Sequence, residues 1–164
     1  MTRLYGRAFG GERVVEYVPD VRYETTTILS SVRLSGDTVP VIFEGALNGK
    51  TFKTYIEKAL APVLLQGDIV IMDSLSSHKV KGIVETVEKA GASVVFLPEY
   101  SPDLNPIELM WSKIKSVIRS LKPRSRDELE IAISLAFEAV SPDAISAWFD
   151  HCGYVTKQPV LSVA

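Results

Sequence analysis

The chain has 164 residues, a hydrophobic fraction of 46% and a formal net charge of −2, a balance typical of one folded domain. This composition excludes a disordered or collagen-like chain, and the single cysteine, Cys152, excludes an internal disulfide. No apolar run approaches the ~18 residues of a membrane span, and the start of the sequence lacks the apolar segment of a secretory signal. We therefore expect a cytoplasmic protein.

The first half of the chain predicts a β-hairpin, a helix and a buried strand. Residues 23–34 are rich in Thr, Val and Ile, and with residues 38–43 they predict two strands joined by a turn at residues 35–37. Apolar residues then recur at helical spacing over residues 51–64. Residues 68–73 (DIVIMD) contain four consecutive apolar residues, which predicts a strand buried on both faces.

The second half predicts one more buried strand and four helices. Ser76 or Ser77 can cap the first of these helices, and Gly91 closes it. Strands that alternate with helices in this order predict an α/β domain with a mixed sheet. The predicted elements are a helix that ends near residue 90, a strand over residues 93–97, and helices over residues 106–121, 127–140 and 143–150.

Two acidic residues are candidates for a functional site, because both are predicted to lie at the same edge of the sheet. Asp73 ends the strand over residues 68–73, and Glu108 lies near the start of the helix that follows the next strand. Ligands bind beyond the carboxyl ends of strands in open α/β sheets, and two converging carboxylates suit a divalent cation such as Mg²⁺. Each acid has a structural alternative. Asp73 can cap the following turn, and Glu108 can form a capping box with Asn105.

The sequence around both acids resembles a known family. Residues 68–79 (DIVIMDSLSSHK) and 96–115 (FLPEYSPDLNPIELMWSKIK) are similar to the second and third acidic motifs of mariner-type insertion-sequence transposases. These belong to the DDE recombinase superfamily, which has a ribonuclease-H-like fold. The 34 residues between Asp73 and Glu108 match the gap in this branch of the family. By position, the resemblance implies that Asp73 and Glu108 are the second and third catalytic, metal-binding carboxylates.

The resemblance also implies an activity, a cofactor and partners. The activity is metal-dependent cleavage and transfer of DNA strands at the ends of an insertion sequence. The cofactor is Mg²⁺ or Mn²⁺, with two ions in an intact family member that clamp an in-line phosphoryl transfer. The expected partners are DNA (element ends and target) and either a second copy or an upstream transposase fragment. No membrane partner is expected, and the location is the bacterial cytoplasm, in association with the nucleoid.

The sequence departs from the family at the first catalytic Asp. In the family this residue lies on an opening strand upstream of the segment similar to MTRLYGR, with which this sequence begins. We therefore expect a truncated ribonuclease-H-like core over residues 1–122 that lacks the opening central strand, with the helices of residues 123–164 packed on the same domain. The resemblance places this strand between the strands of residues 23–34 and 68–73. Residues 14–18, a second copy or an upstream fragment could fill the gap. The alternative function is a catalytically dead remnant that binds DNA or pairs with an intact transposase.

The charge distribution adds a candidate DNA-binding surface. Residues 105–126 contain six basic residues and one acid, whereas the following 24 residues contain six acids and no Lys or Arg. Lys115, Arg119 and Lys122 fall close together on one face of the predicted helix. At 100° per residue they lie within about 20–40° of Glu108 on the helical wheel. This line of cations suits contacts to DNA phosphates, and a solvated basic face is the alternative.

Two further residues near the motifs have structural interpretations. His78 lies five residues after Asp73 and could assist at the site, but we interpret it as a polar residue in the first turn of the capped helix. Trp111 lies on the apolar stripe of its helix, so we predict that it is a core anchor and not a base-stacking platform.

Overall fold

The structure is a computed structural model that describes residues 7–15, 25–154 and 161–163. The chain divides into two compact units. The smaller unit comprises Met1–Tyr23 and Trp111–Val140, and the larger unit comprises Glu24–Met110 and Ser141–Ala164.

The larger unit contains a two-stranded sheet and a four-stranded sheet. The strands are β1 (Thr26–Leu29), β2 (Val32–Arg33), β3 (Val41–Glu44), β4 (Ile69–Met72), β5 (Ser93–Phe96) and β6 (Leu161–Val163). β1 pairs antiparallel with β3, and the four-stranded sheet has the order β2-β6-β4-β5. β4 is parallel to β5 and β6, whereas β2 is antiparallel to β6. The mixed α/β architecture expected from the sequence is therefore confirmed.

The predicted hairpin is present, but its first strand is divided between the two sheets. β1 ends at Leu29 and β2 begins at Val32, with two buried serines between them, while residues 23–24 lie outside the described residues. The turn after β2 is closed by the Arg33 N–H, which donates to the Asp37 carbonyl at 2.8 Å. Gly36 adopts a φ of 105° in this turn, a conformation that favours glycine.

The centre of the four-stranded sheet is held by β6, from the far end of the chain. Val163 pairs with Ile71 of β4 on one side and with Val32 of β2 on the other. This short segment supplies ladder partners to backbone groups of β2 and β4 that would otherwise be unpaired. β6 lies between β2 and β4, where we expected a gap. The sequence analysis suggested residues 14–18, a second copy or an upstream fragment for this position, and β6 is none of these. Residues 14–15 are exposed and outside any strand, and residues 16–18 lie outside the described residues.

The helix predicted over residues 51–64 is a continuous helical run. It comprises α1 (Gly49–Tyr55), a π-helical turn (Ile56–Leu60) and a 3-10 turn (Ala61–Val63). The Asn48 side chain caps the run by accepting a hydrogen bond from the Thr51 N–H at 3.0 Å. The run buries its apolar side against the four-stranded sheet and the next helix, and the buried core cluster includes Phe52, Ile56, Leu60, Val70, Met72, Ile83 and Val87.

The next helix, α2 (Ile83–Lys89), begins later than predicted, so the prediction that Ser76 or Ser77 caps it is wrong. Gly82 occupies the N-cap position with a φ of 97°, and its N–H donates to the Glu85 carboxylate at 2.9 Å. Because a left-handed residue interrupts helical geometry, α2 cannot extend back to the serines. Gly91, with a φ of 83°, closes α2 as predicted.

The predictions for β5 and for the last helix of the larger unit can also be compared with the structure. β5 was predicted to be buried, but its side chains alternate between exposed and partly buried. Ser93 and Val95 lie on its exposed face, and β5 is at the sheet edge, with β4 as its one neighbour among the described strands. The helix predicted over residues 143–150 is α5 (Pro142–His151), capped by the Ser141 hydroxyl, which accepts from the Ala144 N–H at 3.3 Å.

α3 (Pro106–Leu121) has the predicted bounds, and the boundary between the units falls within it. In the smaller unit, the rest of α3 is accompanied by α4 (Arg126–Glu138), which starts with a capping box between Ser125 and Glu128. Trp111 is partly buried and meets Phe137 edge-on at 6.2 Å, which supports its interpretation as a core anchor. The buried residues of the smaller unit include Ile114, Ile118, Ala132, Ile133 and Ala136.

None of the described helices is both long and apolar enough to cross a membrane.

Candidate functional site

A cavity of about 340 Å³ in the larger unit lies where β4 and β5 end. One wall comes from the segment that directly follows β4, and the other comes from the segment between β5 and the first turn of α3. Both predicted site acids line this cavity. Its lining residues are Asp73, Ser74, Leu75, Ser76, Leu97, Pro98, Glu99, Tyr100, Ser101, Pro102, Asn105 and Glu108.

Asp73 is held in place by its own turn while remaining open to the cavity. Its side chain is 40% exposed. Oδ1 accepts a hydrogen bond from the Leu75 N–H at 3.2 Å, and Nδ1 of His78 lies 2.5 Å from the same oxygen. The turn-capping role considered for Asp73 is therefore present. Capping occupies one carboxylate oxygen, and among the described residues Oδ2 has no hydrogen-bond partner, so it can still serve a ligand.

Glu108 does not form the capping box that the sequence allowed. The Asn105 N–H, which the box would pair with the Glu108 carboxylate, donates instead to the Pro102 carbonyl at 3.1 Å. The Asn105 side-chain oxygen is buried and accepts no hydrogen bond from any described residue. The 3-10 turn of Pro102–Leu104 explains the difference, since it takes up the Asn105 N–H before α3 begins. Within the described part of the chain, the exposed Glu108 carboxylate has no hydrogen bond or ion pair.

The oxygen atoms around the cavity fit a hard divalent cation. Asp73 and Glu108 offer carboxylates. Asn105 is 3% exposed, and its amide contains a buried oxygen that has no partner in the described part of the chain. Hard cations prefer such oxygen donors, and Mg²⁺ commonly binds through one or two carboxylates. Among the described residues, no three acidic, histidine or cysteine side chains gather into a metal-binding group. The described residues of the cavity therefore offer a cation two carboxylates and one amide oxygen.

His78 is a residue whose environment the sequence did not reveal. It lies in the turn before α2, where its backbone N–H donates to the Leu75 carbonyl at 3.0 Å. The prediction that His78 lies in the first turn of a helix is therefore wrong. Its side chain is buried, and its ring stacks on Phe52 with centroids 4.0 Å apart. The five-residue spacing from Asp73 was the available signal, but spacing alone does not show burial.

Tyr100 is a second residue that sequence reasoning missed. It lines the cavity, is 98% exposed and adopts a φ of 60°, which is uncommon for a bulky residue. Backbone strain of this kind is concentrated at functional sites. The segment around it is tied down by two hydrogen bonds. The Ser74 hydroxyl donates to the Leu97 carbonyl at 2.7 Å, and the Tyr154 hydroxyl donates to the Leu104 carbonyl at 2.7 Å.

The three predicted DNA-binding residues belong to the smaller unit. Lys115 and Arg119 are exposed one turn apart on α3. Lys122 lies one residue beyond the end of the helix and has a φ of 51°, so the helical-wheel angle does not apply to it. The prediction that Lys122 lies on the same helix face as Lys115 and Arg119 is therefore wrong.

The fold and the cavity define an α/β protein with an oxygen-lined, acidic site at the carboxyl edge of its sheet. The sequence matches the family described as DDE superfamily endonuclease over residues 1–130. Since this match covers most of the chain and includes both acids, the protein belongs to the DDE superfamily endonucleases. Members of this superfamily act on DNA and generally use divalent metal ions. A comparison with curated proteins found no match.

Proposed function

We propose that this chain contributes the second and third metal-binding carboxylates of a mariner-type transposase catalytic domain. The reaction is cleavage of DNA strands at the ends of an insertion sequence and their transfer to target DNA. One observation carries the proposal: Asp73 and Glu108 line the same cavity, in a chain that belongs to the DDE superfamily endonucleases. The sequence resemblance, with 34 residues between the two acids, supports the assignment to the mariner-type branch.

Asp73 and Glu108 would hold a divalent cation, Mg²⁺ or Mn²⁺. When bound, such an ion supplies Lewis-acid activation of a phosphate oxygen and of the attacking water or hydroxyl. The protein's role is to hold the ligands in place. Asp73 is fixed by its own turn through a hydrogen bond from the Leu75 N–H. The Glu108 carboxylate does not cap its helix, because the Asn105 N–H donates to the Pro102 carbonyl instead. Fixing Asp73 in this way avoids part of the entropic cost of ordering this ligand at the moment of binding.

A two-ion site, as in an intact family member, needs a further acidic ligand. No third acidic, histidine or cysteine side chain joins Asp73 and Glu108 in a metal-binding group within residues 7–15, 25–154 and 161–163. We propose that additional polypeptide, either an upstream transposase segment or a second copy, supplies it. The same observation favours the second candidate function, a catalytically dead remnant that binds DNA or pairs with an intact transposase.

The DNA backbone is proposed to contact Lys115, Arg119 and Lys122. Lys115 and Arg119 are exposed, and neither forms an ion pair with another described residue. Phosphate contacts of this type position DNA without reading its sequence. The element ends and the target would share this surface, and the bacterial cytoplasm with its nucleoid is the proposed location.

The first experiment measures binding of Mn²⁺ to the full chain by electron paramagnetic resonance of the free ion. Asp73→Asn and Glu108→Gln should each weaken Mn²⁺ binding by at least about tenfold, because each removes a charged ligand. Glu99→Gln is the matched control, since Glu99 lines the same cavity outside the matched acidic positions and should leave affinity unchanged. Equal Mn²⁺ affinity in all four proteins would refute the metal site.

A second measurement separates the two candidate functions. Nicking of supercoiled plasmid by the chain with Mn²⁺, abolished in Asp73→Asn, would identify an active nuclease. Mn²⁺ and DNA binding without nicking would identify a chain that depends on further polypeptide or a remnant. Nicking restored by an added segment that carries an acidic residue would then favour the split catalytic domain.

A further inference from the structure

His78 is held between a core aromatic ring and a carboxylate of the candidate site. It follows β4 by a short turn and is 7% exposed. Its ring stacks on Phe52 of α1 at a centroid distance of 4.0 Å and an interplanar angle of 28°. Its Nδ1 lies 2.5 Å from Oδ1 of Asp73. The imidazole thus connects the core to the cavity wall.

We propose that His78 is a positioning residue that holds the Asp73 carboxylate ready for a divalent cation. The proposal rests on the proposed function of Asp73 as a metal ligand. A side chain that is 40% exposed can rotate unless its neighbours hold it. The Leu75 N–H and the His78 imidazole both contact Oδ1, so they fix that oxygen and leave Oδ2 for the cation. Neighbours that orient a ligand in this way strongly affect metal affinity.

The burial of the imidazole argues against a purely structural role. Within the described residues, Nδ1 of His78 is buried and has no hydrogen bond of good geometry, and Oδ1 of Asp73 is the acceptor that lies beside it. A buried polar nitrogen without a partner is destabilising, because it loses its hydrogen bonds to water on folding. If packing on Phe52 were the sole requirement, a phenyl ring would meet it without that cost. The nitrogen is therefore explained by its contact with Asp73.

Two substitutions separate the ring from its nitrogen. His78→Phe keeps an aromatic ring to stack on Phe52 but removes Nδ1. His78→Asn keeps a nitrogen near the Nδ1 position but removes the ring. His151→Phe is the matched control, because His151 is exposed at the end of α5. All four proteins, including the wild type, are compared by Mn²⁺ affinity from electron paramagnetic resonance and by thermal unfolding followed by circular dichroism.

The two substitutions should have opposite effects on affinity and stability. His78→Phe should keep its thermal midpoint and weaken Mn²⁺ binding by about 10–100-fold, as expected for loss of an orienting neighbour. His78→Asn should melt at a lower temperature, because the stack is lost, and bind Mn²⁺ close to the wild-type affinity. A role in packing alone would give the same order of melting temperatures, but both variants would then bind Mn²⁺ with wild-type affinity.

The outcomes distinguish this proposal from the proposed function on which it rests. Unchanged Mn²⁺ affinity in Asp73→Asn would overturn the metal site itself. Loss of binding in Asp73→Asn together with wild-type affinity in His78→Phe would overturn the positioning role alone. If His78→Phe does not fold, His78→Ala is compared with His78→Asn: weaker Mn²⁺ binding in His78→Ala alone supports the proposal, and equal affinity in the two variants overturns it.

Discussion

Replacing Arg33 with Met is expected to lower the free energy of unfolding by about 3–5 kcal/mol, since it breaks a buried ion pair at one partner. Arg33 on β2 donates two hydrogen bonds to the Asp68 carboxylate, at 3.0 and 2.6 Å. The two side chains are 10% and 3% exposed. Arg33 also donates to the Val63 carbonyl at 3.1 Å, so the guanidinium joins three parts of the larger unit.

The magnitude follows from what the substitution leaves behind. Without Arg33, the Asp68 carboxylate stays buried with the Leu65 N–H, at 2.8 Å, as its remaining hydrogen-bond partner in the described structure. A buried charge that has lost its counterion is much more costly than an exposed one. For a chain of this length each kcal/mol shifts the melting temperature by about 2–4 °C, so the expected fall is on the order of 10 °C.

Urea unfolding followed by circular dichroism measures the effect in a double-mutant cycle. Arg33→Met, Asp68→Asn and the double variant are compared with the wild type, and the double variant should be less destabilised than the sum of the single variants by about 1–3 kcal/mol. Arg13→Met is the control, because Arg13 is exposed and its replacement should change stability by less than about 0.5 kcal/mol. A cost below about 1 kcal/mol for Arg33→Met, or simple additivity, would refute the reasoning.

Two further predictions concern DNA binding and alkaline pH. Replacing both Lys115 and Arg119 with Ala should weaken binding to all DNA duplexes alike and reduce the salt dependence by about one slope unit per lost phosphate contact; an unchanged slope in titrations at several salt concentrations would identify a solvated face. Burial raises the pKa of Tyr55 to about 12, and its hydroxyl donates to the Val39 carbonyl at 3.1 Å. Because an unfolded tyrosine ionises near pH 10, the unfolded state binds fewer protons above that pH, and stability should fall by about 1 kcal/mol between pH 9 and 11. Urea unfolding at both pH values should show that Tyr55→Phe lacks this part of the decrease, and an equal decrease in both proteins would contradict the assignment.

Local sequence was sufficient where neighbouring residues alone determine the conformation. Pro106 at the first helical position and the apolar stripe that follows it predicted α3 with its observed bounds. Gly36 and Gly91 predicted the hairpin turn and the end of α2, because both adopt a positive φ that favours glycine. The motifs around Asp73 and Glu108 likewise indicated the DDE superfamily, which the match over residues 1–130 confirms.

Tertiary structure decided which residues far apart in sequence meet. The strand at the sheet centre comes from Leu161–Val163, Arg33 pairs with a carboxylate 35 residues away, and the His78 ring finds Phe52 across the core. Propensity, capping and periodicity act within a few residues, and they do not specify which distant segment satisfies a backbone ladder or a buried charge. Such partners are selected by packing of the whole unit, since a buried polar group without a partner is destabilising.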